Sequence, residues 1–184
     1  MIDNVITIIE GSRNNTNKLI ISGRIEPLGY LPEIGGLLNM ELNKIDEIYE
    51  DILIDTEVGY YYSKFLEEAI SAFDNKNINN IQSYLQELPS EKIKNYLKKI
   101  WFENFYLYCQ TLNDTTKEIM MELLNYEADY QTINIIYNSL AYDFNLTQES
   151  ERKKFIPNFG YLYPTITNNL YKVSSIEGLR EALR

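Results

Sequence analysis

The chain has 184 residues, of which 45% are apolar, so it is long enough to form a well-buried core. Its 27 acidic and 17 basic side chains give a formal net charge of −10, which argues against nucleic acid or an anionic membrane surface as a partner. Histidine is absent, which excludes the commonest general base, the commonest metal ligand and the usual nucleophile dyads. No apolar run reaches the roughly 18–20 residues of a membrane span, so we expect a cytosolic chain.

Apolar residues recur at steps of three and four along the whole chain, which predicts an all-α fold of helical bundles. The first polar connection is Arg13–Asn17. A short helical pattern then covers Ile45–Ile52, and a stronger amphipathic pattern covers Val58–Phe73. Asp74–Asn77 is the next polar connection and resembles a surface loop.

Two longer helices are predicted to form a hairpin. The first starts near Pro89-Ser90, and the second opens at Thr115, where Thr115-x-x-Glu118 is typical of a capping box. The short link between them makes the helices antiparallel neighbours. We expect the second helix to face the core with one apolar stripe, and therefore expect Leu123→Asp to destabilise the chain strongly. The stripe consists of Ile119, Leu123, Tyr126, Tyr130, Ile133, Tyr137, Leu140 and Phe144.

The same long helix carries several carboxylates that are candidates for a catalytic or metal-binding site. Glu118 and Glu122 share a face one turn apart, but no second cluster of ligands accompanies them, which favours a solvated face. For Glu127 and Asp129, the sequence leaves open whether the side chains are exposed to solvent or make a structural polar contact. Cys109 lies on an apolar face, which favours an inert buried thiol over a nucleophile, and a single cysteine forms no internal disulfide.

Glycine and aromatic motifs give no stronger candidate. Gly11-Ser12 and Gly35-Gly36 lack the strand and helix that a phosphate-binding loop requires. Two groups of aromatic residues could form a stacking platform for nucleotides. Because no basic residues are interleaved with them, we favour a role in core packing or in an apolar partner surface. These groups are Tyr60-Tyr61-Tyr62 and the set Phe102, Phe105 and Tyr106. We predict no catalytic residue, no cofactor and no metal ligand, and identify no partner-binding residue.

The chain also contains a long internal repeat. An offset of 131 positions aligns Leu28-Gly29-Tyr30-Leu31 with Phe159-Gly160-Tyr161-Leu162, and the same offset aligns Ile45–Ile52 with Ile176–Leu183. A period of this length indicates two bundles of similar plan. We predict a complete repeat unit at residues 1–128 and the start of a second, truncated unit at residues 129–184.

Several strings, separated along nearly the whole chain, carry a resemblance to a known family. They are Met1-Ile2-Asp3-Asn4-Val5, Pro27-Leu28-Gly29, Tyr49-x-x-Ile52-Leu53-x-Asp55-Thr56, Phe105-Tyr106-x-x-Cys109-x-x-Leu112-x-x-Thr115-Thr116-x-x-x-Met120, Tyr126-Glu127-Ala128-Asp129, Asn138-Ser139 and Phe155-x-Pro157-x-x-Gly160-x-Leu162-Tyr163-Pro164. In this order and spacing they resemble the middle section of the V-type ATPase subunit d family. Asn113-Asp114 departs from a pair of glycines in that family, and Tyr130-Gln131 stands where the family has arginines.

The resemblance implies the central part of a three-bundle, funnel-shaped helical subunit whose N- and C-terminal parts are absent here. It implies a non-catalytic role, linking the central rotor shaft to the membrane proteolipid ring of the proton pump, on the cytoplasmic face of vacuolar or endosomal membranes. No small-molecule substrate is expected. Two alternatives are a free-standing helical adaptor and an enzyme that uses carboxylates or a metal at Glu122 and Glu127.

Overall fold

The computed structural model describes residues 1–29, 56–71, 88–141 and 149–184. Every regular element within these ranges is a helix, which confirms the predicted all-α fold class. The chain divides into two compact units, Met1–Lys98 and Lys99–Arg184. In the described part of the chain, no helix combines the length and the apolar character needed to cross a lipid bilayer.

The unit Met1–Lys98 contains helix α1 (Ile2–Arg13), helix α2 (Lys18–Ser22), a 3-10 turn at Pro27–Gly29 and helix α3 (Glu57–Ser71). Helix α3 confirms the amphipathic pattern predicted from Val58. Helix α4 (Ser90–Gln110) begins in this unit. The core forms because α1, α3 and α4 each present apolar side chains at helical spacing. Its fully or nearly fully buried members include Val5, Ile8, Ile9, Val58, Tyr62, Ile93 and Leu97.

The unit Lys99–Arg184 contains the rest of α4 and helix α5 (Asp114–Ala141), which a three-residue turn joins. Helix α5 begins one residue before Thr115, so the predicted capping box lies inside its first turn. Asp114 itself has a φ of 39°, a left-handed conformation that glycine adopts at little cost and aspartate tolerates.

Three short helices complete this unit: α6 (Glu149–Lys153), α7 (Thr165–Leu170) and α8 (Ile176–Ala182). The Ser175 side chain caps α8 by accepting a hydrogen bond from the Gly178 N–H at 3.0 Å. Two clusters form the core of the unit. One comprises Phe102, Cys109, Leu124, Ala128 and Phe159, and the other comprises Ile136, Ile156, Leu170, Tyr171 and Leu179.

The predicted core-facing stripe of α5 is wrong. The residues that α5 buries are Leu124, Ala128, Thr132, Ile136 and Ser139. Five large side chains of the predicted stripe are between 44% and 63% exposed, and Leu123 is 58% exposed. Ile133 and Leu140 are half-buried, and only Leu140 packs against a core cluster among the described stripe residues. The strong destabilisation expected of Leu123→Asp therefore has no basis. The physical reason is that α5 has two apolar faces, and the face with small residues packs against its neighbours because small side chains allow a close approach.

Several predicted features lie outside the described residues. They are the Ile45–Ile52 helix, Gly35-Gly36, the Asp74–Asn77 connection, Phe144, and Tyr30 and Leu31 of the first aligned string. The predicted boundary between repeat units, at residues 128 and 129, falls within α5. The repeat stays a prediction.

Candidate functional site

The carboxylates of α5 do not converge on a common point. Glu118, Glu122 and Glu127 are exposed, which confirms the solvated face predicted for the first two. The Tyr161 hydroxyl donates a hydrogen bond to Glu122, and this bond raises the pKa of Tyr161 above its ordinary value. Glu127 Oε1 accepts a hydrogen bond from Gln131 Nε2 at 3.0 Å. Among the described residues, no group of three or more Cys, Asp or Glu side chains is arranged to hold a metal ion.

Asp129 makes a structural contact with a distant part of the chain. Its Oδ1 accepts a hydrogen bond from the Leu162 backbone N–H at 3.0 Å. Gly160 packs beside it with a φ of 119°, and a Cβ at this glycine would lie 2.5 Å from Asp129 Oδ1 and 3.2 Å from Ala128 Cβ. Only glycine fits both the conformation and the space. The structural interpretation left open for Asp129 is therefore the correct one.

The segment around Phe159 is also fixed to α4. Glu103 Oε1 accepts hydrogen bonds from the backbone N–H and the side-chain amide of Asn158, each at 2.9 Å. The ring of Phe159 stacks on Tyr106 with centroids 3.9 Å apart, and it lies 4.9 Å from the ring of Phe102. Phe102 and Tyr106 are thus packing residues, as the core interpretation predicted.

Arg152 is a buried residue that the sequence did not single out. Its side chain is 2% exposed, and Nη1 donates hydrogen bonds to the carbonyls of Tyr171 at 2.9 Å and Val173 at 2.5 Å. Burial lowers the pKa of Arg152 and raises the pKa of Tyr171 to about 12. Arg152 lies in a run of charged residues that resembles a surface segment, so its sequence neighbours gave no sign of burial.

A comparable contact joins two segments of the unit Met1–Lys98. Buried Asn4 donates from Nδ2 to the Glu26 carbonyl and accepts at Oδ1 from the Glu26 N–H, each at 2.9 Å. Gly29 approaches so closely that a Cβ there would lie 2.3 Å from the Met1 nitrogen. The strings that begin at Met1 and at Pro27 are therefore neighbours in space.

Asp3, which also belongs to the first of these strings, forms ion pairs with Lys98 at 2.9 Å and Lys94 at 3.2 Å. Partial burial of Asp3 opposes ionisation, but the hydrogen bonds and charges of the two lysines outweigh it and hold the pKa of Asp3 below its ordinary value.

The remaining described candidates from the sequence are the triple tyrosine, Gly11 and Cys109. Tyr62 is fully buried whereas Tyr60 is exposed, so the triple tyrosine does not present one continuous stacking surface. Gly11 lies inside α1, near its end, and therefore does not form a loop between a strand and a helix as a phosphate-binding loop requires. Cys109 is fully buried, which confirms the prediction of a buried thiol.

Two exposed aromatic or apolar surfaces stand out in the unit Lys99–Arg184. On α4, the Trp101 ring stacks on Phe105 with centroids 5.5 Å apart and an interplanar angle of 9°, and Phe105 stacks in turn on Tyr108. On α5, five large side chains form a row that we call the α5 stripe. The α5 stripe consists of Ile119, Leu123, Tyr126, Tyr130 and Tyr137.

A profile described as the ATP synthase (C/AC39) subunit matches residues 1–184. The chain belongs to this family. The predicted resemblance to the V-type ATPase subunit d family is thereby confirmed, because relatives in it carry that name.

The chain is 35% identical to V-type proton ATPase subunit d1 of Arabidopsis thaliana over 164 residues, which is 89% of this chain and 41% of the relative. It is 34% identical to V-type proton ATPase subunit d of Neurospora crassa over 187 residues, covering 100% of this chain and 46% of the relative. It is 32% identical to V-type proton ATPase subunit d of Saccharomyces cerevisiae over 185 residues, covering 100% of this chain and 48% of the relative. The chain therefore spans about half the length of these relatives.

Proposed function

We propose that this chain is a non-catalytic coupling part of a V-type proton-pumping ATPase, which links the central rotor shaft to the proteolipid ring in the membrane. The observation that carries the proposal is the match of the ATP synthase (C/AC39) subunit profile to the whole chain. The names of the relatives support the assignment to subunit d of such a complex.

The contacts within each unit suit a mechanical part. Transmission of a torque requires elements that keep their shape under load, and well-packed cores with satisfied polar groups deform little. In the unit Lys99–Arg184, Asp129 and Glu103 hold the 158–162 segment from two helices. In the unit Met1–Lys98, the two hydrogen bonds between Asn4 and Glu26 hold the segment that follows α2.

The proposal includes the setting of the protein. The subunit would sit on the cytoplasmic face of vacuolar or endosomal membranes and be held there by the shaft and the ring, without a cofactor or substrate of its own. Residues 129–184 would begin a second bundle of the same plan as residues 1–128. The proton-conducting and ATP-hydrolysing residues would belong to other subunits.

Affinity purification of the natural full-length protein from detergent-solubilised membranes tests this proposal. We expect it to recover proteolipid-ring and shaft subunits together, and we expect vesicles lacking the protein to lose ATP-driven proton pumping while the ring still assembles. Restoring the unaltered gene is the control. Recovery of the protein only from the soluble fraction, free of ATPase subunits, would instead support the free-standing adaptor.

A further inference from the structure

The α5 stripe has the spacing of a helix-pairing seam. Its residues follow one another at steps of four, three, four and seven, which is the heptad pattern by which two helices pack as a left-handed coiled coil. Ile133 lies in the same register and is half-buried. From Ile119 to Tyr137 the stripe is about 27 Å long at about 1.5 Å per residue.

Among the described residues of the unit, the core clusters form without the α5 stripe. The residues with which α5 packs, among them Leu124, Ala128 and Ile136, lie on the opposite side of the helix. All five stripe residues are large and at least 44% exposed. A row of large apolar and aromatic side chains facing solvent is typical of a protein-binding surface.

The charges beside the α5 stripe select the partner. Glu122 and Glu127 occupy the positions on its two sides, and both are exposed. Lys117 is the single basic residue of α5, and it lies away from the stripe near the start of the helix. A second copy of the stripe would place carboxylates against carboxylates, whereas lysines or arginines at the flanking positions of a partner helix would pair with them.

Contacts within the chain itself fix the side chains at one edge of the α5 stripe. The Tyr161 hydroxyl donates to Glu122, and the Tyr161 ring packs edge-on against Tyr126 with centroids 5.2 Å apart. Tyr161 is itself exposed, so it widens the apolar surface beside the helix. Side chains that are fixed in the free protein lose less conformational entropy on binding.

We propose that the α5 stripe binds one amphipathic helix of another protein, which carries apolar residues at heptad spacing and lysine or arginine at the flanking positions. The inference rests on the unit Lys99–Arg184 alone and holds whether or not the coupling role is correct. The partner is defined by its chemistry: a basic, heptad-patterned helix of at least about 18 residues, the length of the stripe.

Two synthetic helical peptides of three heptads test the proposal. Both have leucine at the core positions, and they differ only in having lysine or glutamate at all flanking positions, so that each repels its own copies and stays monomeric. Fluorescence anisotropy with the purified 184-residue chain measures binding. We expect the lysine peptide to bind at least about tenfold more tightly, since about a twofold gain with lysine and about a twofold loss with glutamate at each of Glu122 and Glu127 give a ratio of roughly sixteen.

Matched variants locate the site. The double variant Leu123→Ser with Tyr130→Ser should weaken binding of the lysine peptide by about tenfold or more, because it removes two central apolar contacts. Leu107→Ser, at a leucine that is 57% exposed on α4 and outside the stripe, should leave binding unchanged. Glu122→Gln with Glu127→Gln should bring the two peptides close to equal affinity. All variants should keep the melting temperature of the parent.

Three results would overturn the proposal. The first is equal binding of the lysine and glutamate peptides to the parent chain, or binding of neither. The second is binding that survives the serine double variant, which would place the site elsewhere. The third is self-association of the chain in sedimentation that Leu123→Ser abolishes, which would make a second copy the occupant.

Discussion

Replacing Gly160 with alanine tests the contact that joins α5 to the segment around Phe159. The new methyl group would lie 2.5 Å from Asp129 Oδ1, and the φ of 119° is a conformation that alanine rarely adopts. The backbone strain costs about 1–3 kcal/mol. Displacement of Asp129 from the Leu162 N–H costs about 1 kcal/mol more. A total near 3 kcal/mol corresponds to a fall in melting temperature of about 6–12 °C for a chain of this size.

Thermal unfolding followed by far-UV circular dichroism measures this effect. Gly23→Ala is the matched control, because Gly23 has a φ of −70° and a Cβ there would be no closer than 3.5 Å to another atom. The cost of Gly160→Ala should be smaller in an Asp129→Ala background, since the clash is then relieved. A Gly160→Ala protein that melts within about 1 °C of the parent would refute the close approach described here.

Three further substitutions test other contacts. Leu124→Asp should lower the free energy of unfolding by at least about 3 kcal/mol, because it buries a charge in the core. Leu123→Asp, on the exposed face, should lower it by less than about 0.5 kcal/mol. Equal urea midpoints for the two variants would contradict the assigned faces. Arg152→Met should cost about 3 kcal/mol, since two carbonyls lose a charged donor, while Lys153→Met at the exposed neighbour should have little effect on the melting temperature. Asp3→Asn should lower the free energy of unfolding at pH 7 by only about 0.5 kcal/mol, because the ion pairs of Asp3 with Lys94 and Lys98 are partly exposed to solvent, which screens them. The folded-state pKa of Asp3 is lowered, so its contribution is present above the ordinary pKa of 3.8 and is lost as the pH falls through the folded-state value; a difference between parent and variant that persists at lower pH would contradict the ion pair.

The sequence was sufficient where the structural signal is local. Steps of three and four predicted helices because a helical residue contacts its neighbours at those spacings, and α3 and the buried Cys109 agree with that expectation. The family resemblance came from strings of residues, and the structure places the string at Met1 beside the string at Pro27, and Asp129 beside Gly160. Short strings separated in sequence gave no indication that these particular pairs meet.

The sequence misled where one helix has two apolar faces. Hydrophobicity favours the face of α5 with Leu123, Tyr126 and Tyr130, but the buried face is built partly from Ala128 and Thr132. Small side chains contribute little to a hydrophobic pattern, yet they let neighbouring segments approach closely. The partners that use this approach come from distant positions, as the pairing of Asp129 with Leu162 illustrates, so periodicity within the helix does not identify the buried side.

Trp101, described above as stacked on Phe105, is the sole tryptophan of the chain and lies in the unit Lys99–Arg184. Tryptophan emission, excited at wavelengths where tyrosine does not absorb, therefore originates from this unit alone. The 184-residue chain thus carries an intrinsic fluorophore that reports on the unit Lys99–Arg184 and gives no signal from the unit Met1–Lys98. Comparing its emission with a signal from both units would reveal whether the two units unfold together or in succession.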